Sequence, residues 1–174
     1  VDPSYSKSEN FIGDTILSSL HRNVINVSPM LRFNYRFSKQ SNLRVYYDGQ
    51  TSQPSMTQMQ PVVDNSDPLN IIVGNPDLKP KYTNRLRADF GRFIPEKQQA
   101  MMASVNGRYV VNDIVSKTVF DGMTGGRKTT YENVDGNYSF DGRMMMNMPL
   151  KNKKFSVNSN AMASFGNANS FING

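Results

Sequence analysis

Between Gly136 and Gly166 the chain repeats with a period of two, and that period restricts its fold more than any other feature. Tyr138, Phe140, Gly142, Met144, Met146 and Met148 alternate with Asn137, Ser139, Asp141, Arg143, Met145 and Asn147. After the break Pro149-Leu150-Lys151-Asn152-Lys153 the alternation resumes. Phe155, Val157, Ser159, Ala161, Ala163 and Phe165 then oppose Lys154, Ser156, Asn158, Asn160, Met162 and Ser164. Successive side chains of a strand point to opposite faces, so about ten such residues on each side of a short turn predict a long β-hairpin. One of its faces is apolar and the other polar.

The same pattern recurs upstream. Val27, Pro29, Leu31, Phe33, Tyr35 and Phe37 alternate with Ser28, Met30, Arg32, Asn34, Arg36 and Ser38. Past the turn Ser38-Lys39-Gln40-Ser41-Asn42, Leu43, Val45, Tyr47, Gly49 and Thr51 oppose Arg44, Tyr46, Asp48 and Gln50. Leu86, Ala88, Phe90 and Ile94 oppose Arg85, Arg87, Asp89 and Gly91, with Arg92 an exception on the apolar side. Beyond the turn Pro95-Glu96-Lys97-Gln98, Met101, Ala103, Val105, Gly107, Tyr109 and Val111 oppose Met102, Ser104, Asn106, Arg108, Val110 and Asn112. That strand runs on through Val115 and Val119 to the glycine-rich loop 121–126, and Thr129 to Asp135 leads into the last hairpin. The wall so predicted has about six strands. Val1 to Asn26 is polar and irregular. The spacing of Phe11, Ile12, Ile16, Leu17 and Leu20 predicts a connecting loop with a short helical turn there.

The two faces imply two solvents. Arg32, Arg36, Arg44, Asp48, Arg85, Arg87, Asp89, Arg108, Asp141 and Arg143 all fall on the polar set. In a dry core each unpaired charge would cost several kcal/mol, a cost that a water-filled lumen mostly removes. The apolar runs match the ~9–11 residues that a tilted strand needs to cross hydrocarbon. Connections also alternate between short turns and long loops, as they do in outer-membrane barrels. The longest, from Thr51 to Tyr82, carries Pro54, Pro61, Pro68, Pro76 and Pro80. Proline removes ladder donors, so an ordered extracellular loop is expected over about residues 52–82. With that loop outside, Phe37 and Phe155 belong at the periplasmic rim and Tyr109 and Tyr138 at the outer rim.

The expected fold is therefore all-β, an antiparallel up-and-down transmembrane β-barrel segment. Six strands are fewer than the 8 of the smallest barrels, and an open sheet would present unpaired edges to lipid. The whole of residues 1–174 is thus expected to be part of a larger barrel, in contact with outer-membrane lipid. A soluble β-sandwich, with its apolar faces meeting in a core, is the competing architecture.

Composition excludes several chemistries. There is no cysteine, and His21 is the only histidine, so thiol catalysis and multi-histidine metal sites are ruled out within this chain. The +6 formal charge is spread along strands rather than clustered, apart from Lys151, Lys153 and Lys154, which argues against nucleic acid as a partner. Asp64, Asp67 and Asp77 are oxygen donors suited to calcium, but their spacing fits no EF-hand and suits turn formation better. Gly122, Gly125 and Gly126 lack the strand-then-helix context of a phosphate loop. No cofactor, metal site or catalytic residue is expected, and the chain reads as non-enzymatic.

The stretch from Tyr47 to Phe90 resembles the loop-and-strand block of Bacteroidota outer-membrane β-barrel proteins related to TonB-dependent receptors. Gln53-Pro54-Ser55, Leu69-Asn70-Ile71 and above all Gly74-Asn75-Pro76-Asp77-Leu78-Lys79-Pro80 carry the likeness. Lys81 departs from the acidic residue usual at the next position. Ser28-Pro29 and Tyr35-Arg36-Phe37-Ser38 are similar to the strand and turn that precede this block. The resemblance implies a large barrel in the bacterial outer membrane that takes up a scarce small solute. It also implies a plug domain N-terminal to Val1 and a TonB-type energy-coupling protein as partner. A surface barrel used for adhesion or assembly, transporting nothing, is the alternative within the same family.

Overall fold

The computed structural model describes residues 2–12, 15–61, 63–64, 67–150 and 154–172. Its strands are β1 (Asp2–Ile12), β2 (Thr15–Asn26), β3 (Met30–Ser38), β4 (Ser41–Ser52), β5 (Val63–Asp64), β6 (Asn70–Val73), β7 (Lys81–Ile94), β8 (Gln99–Val111), β9 (Asp113–Phe120), β10 (Arg127–Val134), β11 (Asn137–Pro149), β12 (Ser156–Asn167) and β13 (Phe171–Ile172). One helical turn, α1 (Met56–Met59), lies in the long loop, and a 3-10 turn (Pro95–Lys97) joins β7 to β8.

The wall is a six-stranded sheet in the order β12-β11-β8-β7-β4-β3, antiparallel at every pairing. Each strand continues next to the one before it in the chain or across a longer connection, the up-and-down order expected of a barrel wall. Register carries the alternation coherently across all six. Tyr35–Leu43–Phe90–Ala103–Met144–Ala161 forms one row of facing residues and Asn34–Arg44–Asp89–Ser104–Arg143–Met162 forms the next. A slip of one residue anywhere would have mixed the two sets.

The apolar face packs against nothing among the described residues. Leu31 is 62% exposed, Val105 52% and Phe165 64%. A sandwich would bury these side chains, so that alternative fails. Rings on this face pack on one another within the sheet: Phe140 stacks on Phe165 at 5.2 Å, and Phe37 meets Tyr35 at 4.8 Å and Phe90 at 6.1 Å. The buried hydrophobic residues are Met59, Leu78 and Val110, all where the long loop meets the wall.

A second, five-stranded sheet, β13-β9-β10-β6-β5, extends from that same end. β9 and β10 prolong β8 and β11 beyond two backbone kinks, Asn112 at φ 52° and Gly136 at φ 88°. Positive φ is a glycine conformation that asparagine tolerates better than most residues. The strand expected to run straight through Val119 thus bends at Asn112 and changes sheets.

Two expectations need correction. The N-terminal segment is a β-hairpin, β1 against β2 with Ile12 opposite Thr15, rather than a loop with a helical turn. The helical spacing of Phe11, Ile12, Ile16, Leu17 and Leu20 arises by chance across the two paired strands. The proline-rich loop, expected to lack strand, holds β5 and β6. β6 escapes the proline rule because it lies in the interval between Pro68 and Pro76.

The face split predicts an asymmetric response to charge. In a bilayer, Ala161→Arg in the middle of β12 should cost ~2–4 kcal/mol and Val157→Arg near the strand end less, while Asn160→Arg on the other face should be mild. Urea titration of the intact barrel in lipid checks this; equal costs would refute the facing.

Candidate functional site

Every arginine and aspartate singled out in the sequence lies on one face of the wall. Arg32 stands opposite Tyr46, Arg36 opposite Asn42, and Arg44 opposite Asp89. Asp48 stands opposite Arg85, and Arg87 lies between Tyr46 and Asn106. Asp141 pairs with Asn106 and Ser164, and Arg143 with Ser104 and Met162. The face is open and weakly paired. Arg87 forks onto Asp89 along its own strand, with Nε donating at 2.8 Å and Nη2 at 3.1 Å. Arg85 reaches Asp48 only at 3.4 Å. Among the described residues Asp141 makes no ion pair. Tyr46 shares the face, as do the methionines Met102 and Met145, which stand directly opposite each other. At its turn end, Phe93 sits on the polar side opposite Ala100, and Arg92 on the apolar side opposite Met101.

The motif loop has a different role. Ser55 caps α1 in a capping box: its hydroxyl accepts from the Gln58 amide while Gln58 Oε1 accepts from the Ser55 amide. Leu69-Asn70-Ile71 enters β6, which runs parallel to β10 with Asn70 opposite Arg127 and Ile71 opposite Lys128. Gly74 lies so close to the α1 end that a Cβ would sit 2.2 Å from the Gln60 carbonyl oxygen. Asn75 donates its amide to the Tyr131 carbonyl at 2.9 Å and accepts from the Asp77 amide at 3.0 Å. Leu78 is fully buried, whereas Pro76 and Asp77 are exposed. Lys79 donates its backbone N–H to Asn133 Oδ1 at 2.7 Å, and Asn133 Nδ2 donates back to the Lys79 carbonyl at 3.1 Å. Pro80 then hands the chain to β7. From Gly74 to Pro80 the motif is a clip that fastens the loop to the β9–β10 extension.

A polar network locks the kink beneath the clip. Asn133 also donates to the Asn112 carbonyl at 2.9 Å, and the Asn112 amide donates to Asp135 Oδ1 at 2.7 Å. Asn137, itself buried, donates to Asp113 at 2.8 Å and accepts from the Asn169 amide at 2.7 Å. Burial pushes the Asp113 carboxyl up, but the Asn137 amide, the Lys81 ammonium at 3.4 Å and the Ile114 amide outweigh it and hold the group below the usual carboxylate range. The asparagines at 112, 133, 137 and 169 were missed because single amides carry no periodic signal.

Of the aspartates weighed for calcium, Asp67 closes a turn. Asp67 accepts from the Leu69 amide at 3.0 Å and from the Asn70 side chain, which holds its carboxyl low. Among the described residues no three acidic or histidine side chains converge on a metal-sized site; the Asp64 and His21 side chains lie outside those residues. The loop at 121–126 is closed by Asp121, which accepts from the Met123 amide at 2.9 Å and the Thr124 hydroxyl at 2.7 Å.

A two-faced wall of strands 9–14 residues long, with its core confined to one end, meets the physical requirements of a bilayer-crossing barrel. The model of the outer membrane protein beta-barrel family matches residues 10–173. The chain belongs to that family. Its place is accordingly the bacterial outer membrane. Among solved structures it is similar to the siderophore receptor PirA from Acinetobacter baumannii, with a TM-score of 0.53 and 13% identity. That likeness covers 85% of this chain and 23% of the receptor, and at such identity it is one of fold. No curated protein matches the chain.

The clip should be the most mutation-sensitive part of the loop. Leu78→Ala should cost about 2–5 kcal/mol of loop docking, and Gly74→Ala should free the segment outright, while Pro76→Ala should leave it in place. Limited proteolysis of the long loop in the purified barrel reads the difference; equal resistance of all three would refute the clip.

Proposed function

We propose that this chain is a wall segment of a TonB-dependent receptor-type transporter that takes up a scarce small solute. The observation that carries the reading is the sorting of Arg32, Arg36, Arg44, Arg85, Arg87, Arg108 and Arg143, with Asp48, Asp89 and Asp141, onto one face of a sheet whose other face is bare hydrocarbon-like surface. In a lumen filled with water these charges stay solvated, line the route of a polar solute, and leave the methionines and aromatics to the lipid. The clamped outer loop serves a surface barrel as well as it serves a receptor. The charged face is what favours passage.

The edges of the sheet, β3 and β12, support a larger barrel. Unpaired backbone groups in hydrocarbon cost several kcal/mol each, so neighbouring strands must cover both edges. Barrels of up to 22 strands carry a plug in the lumen. The plug and its energy-coupling segment would precede Val1, and a Bacteroidota source fits the motif block. Nothing in the proposed role calls for enzymatic chemistry.

Deleting the plug from the full-length protein is the direct test. In a planar bilayer the intact protein should conduct poorly and the deletion variant should open a large water-filled pore. A coding region upstream of Val1 that encodes no plug, or equal conductance of the two forms, would favour the non-transporting surface barrel.

A further inference from the structure

We propose that Arg85 and Arg108 form an anion-binding pair on the polar face, built to take a carboxylate or phosphate group of a multiply charged solute. The proposal rests on the reading above that this face meets lumen water. Arg85 and Arg108 stand directly opposite each other across β7 and β8. Among the described pairings of the wall, it is the one that sets two like charges face to face. Such a pair is destabilising by itself. Elsewhere on the face, arginine stands opposite aspartate, a neutral polar residue or methionine.

The neighbours do not relieve the repulsion. Arg108 makes no ion pair among the described residues. Arg85 shares one Nη1 between Asp48 Oδ2 and Gln50 Oε1, both at 3.4 Å, and its side chain stays 52% exposed. Arg87, diagonal to Arg108, is already spent on Asp89. On the other side Arg108 faces Ser139, and Ser139 faces Gly166, so no bulky side chain crowds the guanidinium. Asp48 reaches only one Nη of Arg85, and Asp141, diagonal to Arg108, makes no ion pair among the described residues, so two adjacent forks keep open donors. Such forks match the planar geometry of a carboxylate or phosphate, which each engages through parallel N–H···O bonds.

Citrate is a suitable probe, compared with acetate at matched ionic strength, on the full-length protein purified in detergent. Calorimetry and thermal unfolding should show that citrate binds the wild type and raises its melting temperature. Arg108→Gln should weaken citrate binding about ten-fold or more, and without citrate it should melt no lower than the wild type because a repulsion has been removed. Lys97→Gln, which removes a charge at the distant turn, should bind citrate normally. Absence of citrate binding to the wild type, or equal binding by Arg108→Gln, would overturn the proposal. So would a lower melting temperature for Arg108→Gln in citrate-free buffer with no citrate effect on the wild type, since another segment of the protein would then fill the site. An Arg108→Cys variant separates the two levels. Labelling of its thiol by a water-soluble thiol reagent, together with no citrate binding by the wild type, sinks the anion pair alone, and protection of the thiol from the reagent sinks the lumen reading itself.

Discussion

The structure depends on one constraint: a single sheet must satisfy hydrocarbon on one side and water on the other while pairing its backbone laterally. A soluble domain buries one face of each element against another, and its stability comes from that buried core. This wall has no such layer. Its backbone ladder removes the polar groups from lipid, and its side chains are chosen by the solvent each side meets. Small residues occur among the large ones on the apolar side, as where the Phe140 ring lies over Gly107 across the β8–β11 ladder. The surface there is shaped by neighbouring strands rather than by a second layer.

What core exists among the described residues holds the long-loop end together. Leu78, Met59 and Val110 are buried where the loop returns to the wall, and the hydrogen bonds of Asn75, Asn133 and Asn137 surround them. The motif residues from Gly74 to Pro80 lie in a long loop, where binding residues are often found. In the structure they contact the protein's own β10 strand and the backbone of the α1 segment. Their chemistry is positional: a glycine for close approach, an asparagine to close a turn and grip a carbonyl, a leucine to seat the whole. In the proposed transport role, the side chains facing a solute would be those of the polar strand face.

The wall was legible because a period of two depends only on strand geometry, and the arginine face follows from it without knowledge of the neighbours. Register then confirmed what no single strand could, that the sets from different strands coincide. Three things were not legible. The β1–β2 hairpin was hidden by a chance helical spacing across its two strands. The parallel pairing of β6 with β10 joins residues far apart in the chain, and no local pattern announces it. The kinks at Asn112 and Gly136 depend on φ, which alternation does not encode. The like-charged pair Arg85–Arg108 needed register as well, since both residues look ordinary within their own strands.

The division of solvents is tested most directly at Met144 and Met145, neighbours on β11 with the same side chain and opposite facing. Nitroxide labels on Met144→Cys and Met145→Cys in the full-length barrel in lipid should differ sharply. The label at 144 should collide with dissolved oxygen in the bilayer, and the label at 145 with a water-soluble nickel chelate. Indistinguishable collision rates at the two positions would contradict a sheet that separates hydrocarbon from water.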